Sequence, residues 1–343
     1  MLTPARSNVL LHVCLLATAA VSGMHFTSLA QTSEQSRPAE GVQDNSFLME
    51  EAYNQEPGVV QHILNISRSV NRTHGGDEHE WALVFTQEWP FFSQKHQLSY
   101  TVPYSFVKAG EQSENGNEDV LLNYRLQALM ETDRTPAFAP RLSLVLPAGD
   151  ADRGLGNDTL GYQLNLPVSK VVSDRWTVHA NAGGTLLPEV NGRDLVSYNL
   201  GVSAIYAVTP RLNLMLECVA NWDEEVDDRG RKDRSFSAIA SPGLRYAFNH
   251  SNDAQTVVGL AAPIGLTRDA PDYGVILYFS FEHFFLRPSP RPAKKFERRE
   301  TRAQAQARRF TGSRQNAIAR ASNLPPGRHT AMPAKAKASS HPL

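Results

Sequence analysis

Between Val59 and Phe285 the chain repeats one pattern: about ten residues in which every second one is apolar, then a polar break. In QLSYTVPYSF, Leu98, Tyr100, Val102, Tyr104 and Phe106 alternate with Gln97, Ser99, Thr101, Pro103 and Ser105. In TLGYQLNLPVS, Leu160, Tyr162, Leu164, Leu166 and Val168 alternate with Thr159, Gly161, Gln163, Asn165 and Pro167. Successive strand side chains point to opposite faces, so each segment has one apolar and one polar face. The pattern predicts strands near 59–68, 80–89, 96–106, 119–129, 137–147, 159–169, 175–185, 195–208, 211–222, 235–248, 255–266 and 273–285, an even count of about twelve.

A soluble β-sandwich would alternate in the same way, and three further features favour a transmembrane barrel. Long connections at 69–79, 107–118, 148–158, 186–194 and 223–234 interleave with short ones at 90–95, 130–136, 170–174, 209–210 and 249–254, as in an up-and-down barrel with outer loops and periplasmic turns. The four Trp residues fall at strand ends, Trp81 and Trp222 toward the long loops and Trp89 and Trp176 toward the short turns, where aromatic girdles meet lipid headgroups. The final run, YGVILYFSFEHFF, is aromatic-rich and ends on Phe285, resembling the terminal strand that the barrel insertion machinery of the outer membrane recognises. No stretch after residue 30 reaches 18 apolar residues, which excludes spanning helices and leaves a spanning barrel open. The fold class expected is therefore all-β, a transmembrane antiparallel up-and-down β-barrel of the outer membrane of a Gram-negative bacterium.

The two ends are different material. Arg6, the apolar run Val9 to Val21 and Ser28-Leu29-Ala30 before Gln31 give the charge, core and small-residue order of a signal peptide over 1–30. The apolar run is shorter than the roughly 20 residues a membrane span needs. Cys14 lies inside that run without the small residues a lipid-attachment site wants, so only Cys218 remains after cleavage, and no internal disulfide can staple the mature chain. Residues 31–57 form an N-terminal periplasmic or plug segment. Within it Asn45 is placed to cap a short helix from Ser46 that Pro57 and Gly58 would end, tucked in the lumen or lying in the periplasm. The barrel occupies 58–286. The net charge of −1 conceals a basic tail over 287–343, with about 14 Lys and Arg, rich in Pro, Ala, Gln and Ser, which reads as disordered. In barrels of this type the terminal Phe normally ends the chain, so the tail is either a periplasmic extension touching peptidoglycan or anionic lipid, or a misplaced gene end.

The segments SFLMEEAYNQEPGVVQHI, WALVFTQEWPFFSQKHQLSYTVPYSF and GLGNDTLGYQLNLPVS resemble the outer-membrane transporters grouped as the meta-pathway of phenol degradation family. The resemblance spans roughly 46–286 and implies a pore passing small molecules inward, hydrophobic or aromatic compounds among them. It does not identify the cargo.

The polar face should line the lumen, because the opposite face is apolar enough to meet lipid. The lumen-lining candidates are Glu88, Arg125, Arg141, Gln163, Asn165, His179, Asn181, Glu217, Arg245 and Glu282. Their mixed charges have two readings: Arg125, Arg141 and Arg245 satisfy Glu88, Glu217 and Glu282 within the wall, or the groups form a selective constriction. Asp150, Asp152 and Asp158 resemble an oxygen-ligand calcium loop but lack the position-twelve Glu, and a surface turn accounts for them. His179 and Asn181 share a face, but it is the predicted lumen face rather than the lipid face a lipid hydrolase would use, and Ser203 on the next strand is an arbitrary partner, so ordinary lumen lining accounts for them. No phosphate loop, metal cluster or nucleic-acid motif appears in the body. The expected partners are outer-membrane lipid and a small-molecule solute, with no nucleic acid, no cofactor and no enzymatic activity. The other reading is a plugged structural or adhesive barrel without transport.

Overall fold

The computed structural model describes residues 46–73, 76–226, 230–250 and 254–285. The expected signal peptide, the stretch 31–45 with its Asn45 cap, and the basic tail lie outside these residues.

Twelve barrel strands follow one another in chain order. They are β1 (Val59–Thr73), β2 (Gly76–Phe91), β3 (Ser93–Ala109), β4 (Gln112–Asn117 and Val120–Leu126), β5 (Ala137–Phe138 and Arg141–Leu146) and β6 (Gly161–Asn165 and Val168–Val171). Then come β7 (Trp176–Val190), β8 (Arg193–Thr209), β9 (Leu212–Val226), β10 (Lys232–Asn249), β11 (Gln255–Ala261 and Ile264–Gly265) and β12 (Tyr273–Phe284). Every neighbour pairs antiparallel, and β12 returns to β1 in a register running from Val59 opposite Phe284 to Val70 opposite Tyr273. Closure leaves no open sheet edge, the condition for a sheet to stand in lipid.

Four strands are interrupted. Proline stands at three of the breaks, Pro140 in β5, Pro167 in β6 and Pro263 in β11, where it supplies no N–H to the ladder. Near the first of these, β4 and β5 are held by Leu126 N–H donating to the Pro140 carbonyl and by a bridge between Leu129 and Phe138.

The outer wall is apolar. Leu142, Leu144, Tyr162, Leu164, Leu200, Val202, Leu214, Leu216, Leu244, Leu260, Leu277 and Phe279 all point outward and are exposed, a continuous surface that a water-soluble monomer does not present. The alternate positions face inward and are buried. Trp81 and Trp222 stand near one rim, Trp222 against Phe236 with ring centroids 5.0 Å apart. Trp89 and Trp176 stand near the other, Trp176 against Tyr206 at 5.0 Å.

The strand edges differ from expectation at one rim. Of the five predicted long loops, only the stretch between β5 and β6 is a loop of that length, whereas β3 runs to Ala109 and β4 starts at Gln112, and β7 runs to Val190 before β8 starts at Arg193. The polar residues there are strand extensions that project beyond the lipid, where neither face has to be apolar, so the alternation fades while the ladder continues. Asn191 and Gly192, both with positive φ (48° and 75°), make the tight turn between β7 and β8, the Asn-Gly pair suited to a two-residue hairpin.

Candidate functional site

Residues 46–56 enter the barrel and fill its lumen. They are not the predicted helix: no α-helix is assigned there, and the backbone is spent on the wall instead of on itself. Phe47 and Leu48 N–H groups donate to the two oxygens of Glu217, at 3.2 and 2.8 Å. Glu50 exchanges a pair of bonds with Asn181, its N–H donating to Oδ1 at 2.8 Å and its carbonyl accepting from Nδ2 at 2.9 Å. The Ala52 N–H donates to Ser169 Oγ at 2.7 Å, the Asn54 N–H to Gln127 Oε1 at 2.8 Å and the Gln55 N–H to Gln97 Oε1 at 2.7 Å. The carbonyls are matched in turn: Asn65 Nδ2 donates to Phe47 O, Gln127 Nε2 to Ala52 O and Arg125 Nη2 to Tyr53 O, at 3.2, 2.7 and 2.8 Å. A helix would satisfy these groups internally, but a narrow lumen lined with Asn, Gln, Ser and Glu satisfies them from outside, and buried backbone groups must be satisfied somewhere.

Side chains of the plug are held as firmly. Glu50 Oε1 pairs with Arg141 Nε at 2.7 Å and its Oε2 accepts from Asn165 Nδ2 at 2.7 Å. Arg141 also donates to Asn123 Oδ1 at 2.6 Å and Gln163 Oε1 at 2.7 Å. Asn54 Oδ1 accepts from Arg125 Nε at 2.9 Å, the Tyr53 hydroxyl donates to Glu131, and the Ser46 and Ser203 hydroxyls lie 2.6 Å apart.

The structure places all ten lumen candidates, Glu88, Arg125, Arg141, Gln163, Asn165, His179, Asn181, Glu217, Arg245 and Glu282, among the buried residues. Five of them, Arg125, Arg141, Asn165, Asn181 and Glu217, bond the plug directly. Glu88 supports this set by accepting from Gln97 at 2.8 Å and lying 3.8 Å from Arg125. Arg245 donates to Asn213 at 3.0 Å, and Glu282 sits opposite Gln61 and Gln255. The charges therefore divide: Arg125 meets a wall carboxylate, while Arg141 meets the plug. His179 bonds Ser169 at 2.7 Å, whereas Ser203 is turned to Ser46.

One half of the lumen is apolar, which the polar-face reading misses. Phe47, Leu48 and Met49 pack with Ile63, Ile205, Met215, Val219, Ala247, Val257, Ala261, Ile276 and Tyr278. The Phe47 ring lies 5.1 Å from the Tyr278 ring. It rests on bare backbone, since a Cβ at Gly259 or Gly243 would stand 2.3 or 2.9 Å from its ring atoms, and a Cβ at Gly201 would stand 2.2 Å from Met49 Sδ. The sequence signal for this half was a set of inward positions on β8 to β12 that are small or apolar where the other strands carry amides.

At the rim, the acidic loop is closed by its own partners. Asp150 accepts from Arg153 Nε at 2.7 Å, and buried Asp119 accepts from Gly149 N at 3.1 Å and from Asn157 N at 2.9 Å. Among the described residues no group of three or more His, Cys, Asp or Glu side chains could hold a metal ion.

An apolar outer belt, full closure and a lumen filled by the chain's own N-terminal residues define an outer-membrane β-barrel of the up-and-down class. The family model described as "Putative MetA-pathway of phenol degradation" matches residues 44–282, and the chain belongs to that family. The COG4313 outer membrane channel from Pseudomonas putida F1 matches in fold with a TM-score of 0.56 over 68% of this chain and 97% of that one, at 15% sequence identity. The KdgM porin matches at a TM-score of 0.38 and 13% identity over 66% of this chain and 99% of its own. No curated protein sequence matches the chain.

Proposed function

We propose that this protein is a non-enzymatic outer-membrane channel for small molecules, hydrophobic or aromatic compounds among them, closed in the present state by residues 46–56. The observation that carries the reading is the way the plug is held. A permanently closed, structural barrel gains most from an apolar, tightly packed core, because buried polar groups contribute little net stability even when satisfied. Here one half of the wall around the plug is built of Asn, Gln, Ser, Arg and Glu side chains that water can satisfy equally well when the plug moves. The apolar half, with its glycine-floored pocket for the Phe47 ring, supports passage of an aromatic or hydrophobic solute.

Reconstitution into planar bilayers tests this. Discrete conductance steps are expected, rare in the native chain and frequent in a chain lacking residues 31–57. Silence of both, in preparations that fold normally, would leave the plugged structural barrel as the correct account.

A further inference from the structure

Two side chains of the plug, Glu50 and Phe47, make specific contacts with the wall. The first is the Glu50 carboxylate. One oxygen lies 2.7 Å from Arg141 Nε as an ion pair, and the other accepts from Asn165 Nδ2 at 2.7 Å. Arg141 is itself oriented by Asn123 and Gln163, whose amide oxygens hold its Nη1 and Nη2, and it meets the Glu50 carboxylate as a close charge pair. The carboxylate within ion-pair distance of Arg141 is supplied by the plug, whereas Arg125 finds Glu88 on the wall. When the plug leaves, Arg141 loses its nearest counter-ion and keeps only the more distant influence of Glu88 on the wall, and a cation so placed favours another anion. The second feature is the Phe47 ring, which lies on Gly243 and Gly259 and against Tyr278 on the opposite, apolar side of the lumen. Between the two side chains the backbone bends at residues 47–49.

We propose that Glu50 and Phe47 are built-in surrogates for the two ends of the solute, and that the open lumen takes an amphipathic organic monocarboxylate. Its carboxylate sits on Arg141 and Asn165, and its apolar body lies toward the glycine-floored pocket. The solute then competes with the plug for its own site. This rests on the channel reading above and adds the chemical class of the cargo. Glu217, which also faces the lumen, does not oppose the assignment at Arg141: it holds the Phe47 and Leu48 N–H groups on β9, on the apolar side.

The test uses the full chain in planar bilayers, titrated with 4-phenylbutyrate and, separately, with 4-phenylbutyramide, which has the same shape and no charge. The acid is expected to raise open probability at a half-maximal concentration at least tenfold below that of the amide. Arg141→Gln should erase the difference, and Arg141→Lys, which keeps the charge without the paired bonds to Asn123 and Gln163, should restore part of it. Heat-modifiable migration on gels checks that each variant folds, and the acid-to-amide comparison in the native chain needs no variant at all. If native channels open equally with both probes, the carboxylate assignment is wrong while the channel reading stands. If no probe produces steps and the chain lacking residues 31–57 is also silent, the channel reading fails and takes this inference with it.

Discussion

Replacing Phe47 by Ala isolates one contact between plug and wall. The ring is fully buried, lies 5.1 Å from the ring of Tyr278 and covers the backbone at Gly243 and Gly259. Truncating a buried Phe to Ala costs about 3–5 kcal/mol in well-packed interiors. The lower end is taken here. The backbone bonds at Phe47, to Glu217 and from Asn65, survive the change. A loss of about 3 kcal/mol from the plugged state alone, at about 1.4 kcal/mol per factor of ten, raises the ratio of open to plugged molecules about 100-fold. Single-channel recording reads this ratio directly. Phe92→Ala is the control, since Phe92 is 91% exposed at a turn and touches no part of the plug. An open-to-plugged ratio for Phe47→Ala that stays within threefold of the native value, in protein that folds and inserts normally, would refute the view that this ring anchors the plug.

Two further outcomes follow from the wall. Leu164 is 43% exposed on the outer face, so Leu164→Arg should lower folding stability in lipid by about 2–4 kcal/mol if the residue lies near the midplane, measured by denaturant titration in vesicles against Leu164→Ala; equal stability of the two would argue against a lipid-facing β6. The neighbouring Asn165 is unsuitable as a tolerant inward control, because it is buried against Glu50 and an Arg there would disturb the plug. Asp119→Ala removes the acceptor of the Gly149 and Asn157 N–H groups, at about 1–3 kcal/mol for the donors left unmatched, and should make the stretch 147–160 several-fold more sensitive to protease added to intact cells, with unchanged cleavage counting against the role given to Asp119.

What the sequence by itself determined was the wall. A period of two is a local property of a strand, so Leu164 beside Asn165 and Leu142 beside Arg141 announce their faces without any knowledge of neighbours, and the number of alternating runs fixes the number of strands. The Asn191-Gly192 turn lay inside what read as a long connection over 186–194, because outside the lipid the alternation of the flanking strand extensions no longer has to hold. The interior was decided by the tertiary structure. The stretch 46–56 follows a capping residue, Asn45, and carries helix-compatible residues, and nothing within it announces that Glu217, 170 positions from Phe47, would take its N–H groups, or that Asn181, 131 positions from Glu50, would pair with its backbone. The same holds for Arg141: the sequence offered three wall carboxylates as partners and the fold chose Glu50. Contacts of that range depend on which strands close around the segment, and a backbone-directed grip leaves almost no trace in side-chain pattern, since amides and hydroxyls that hold a peptide look the same as amides and hydroxyls that line water.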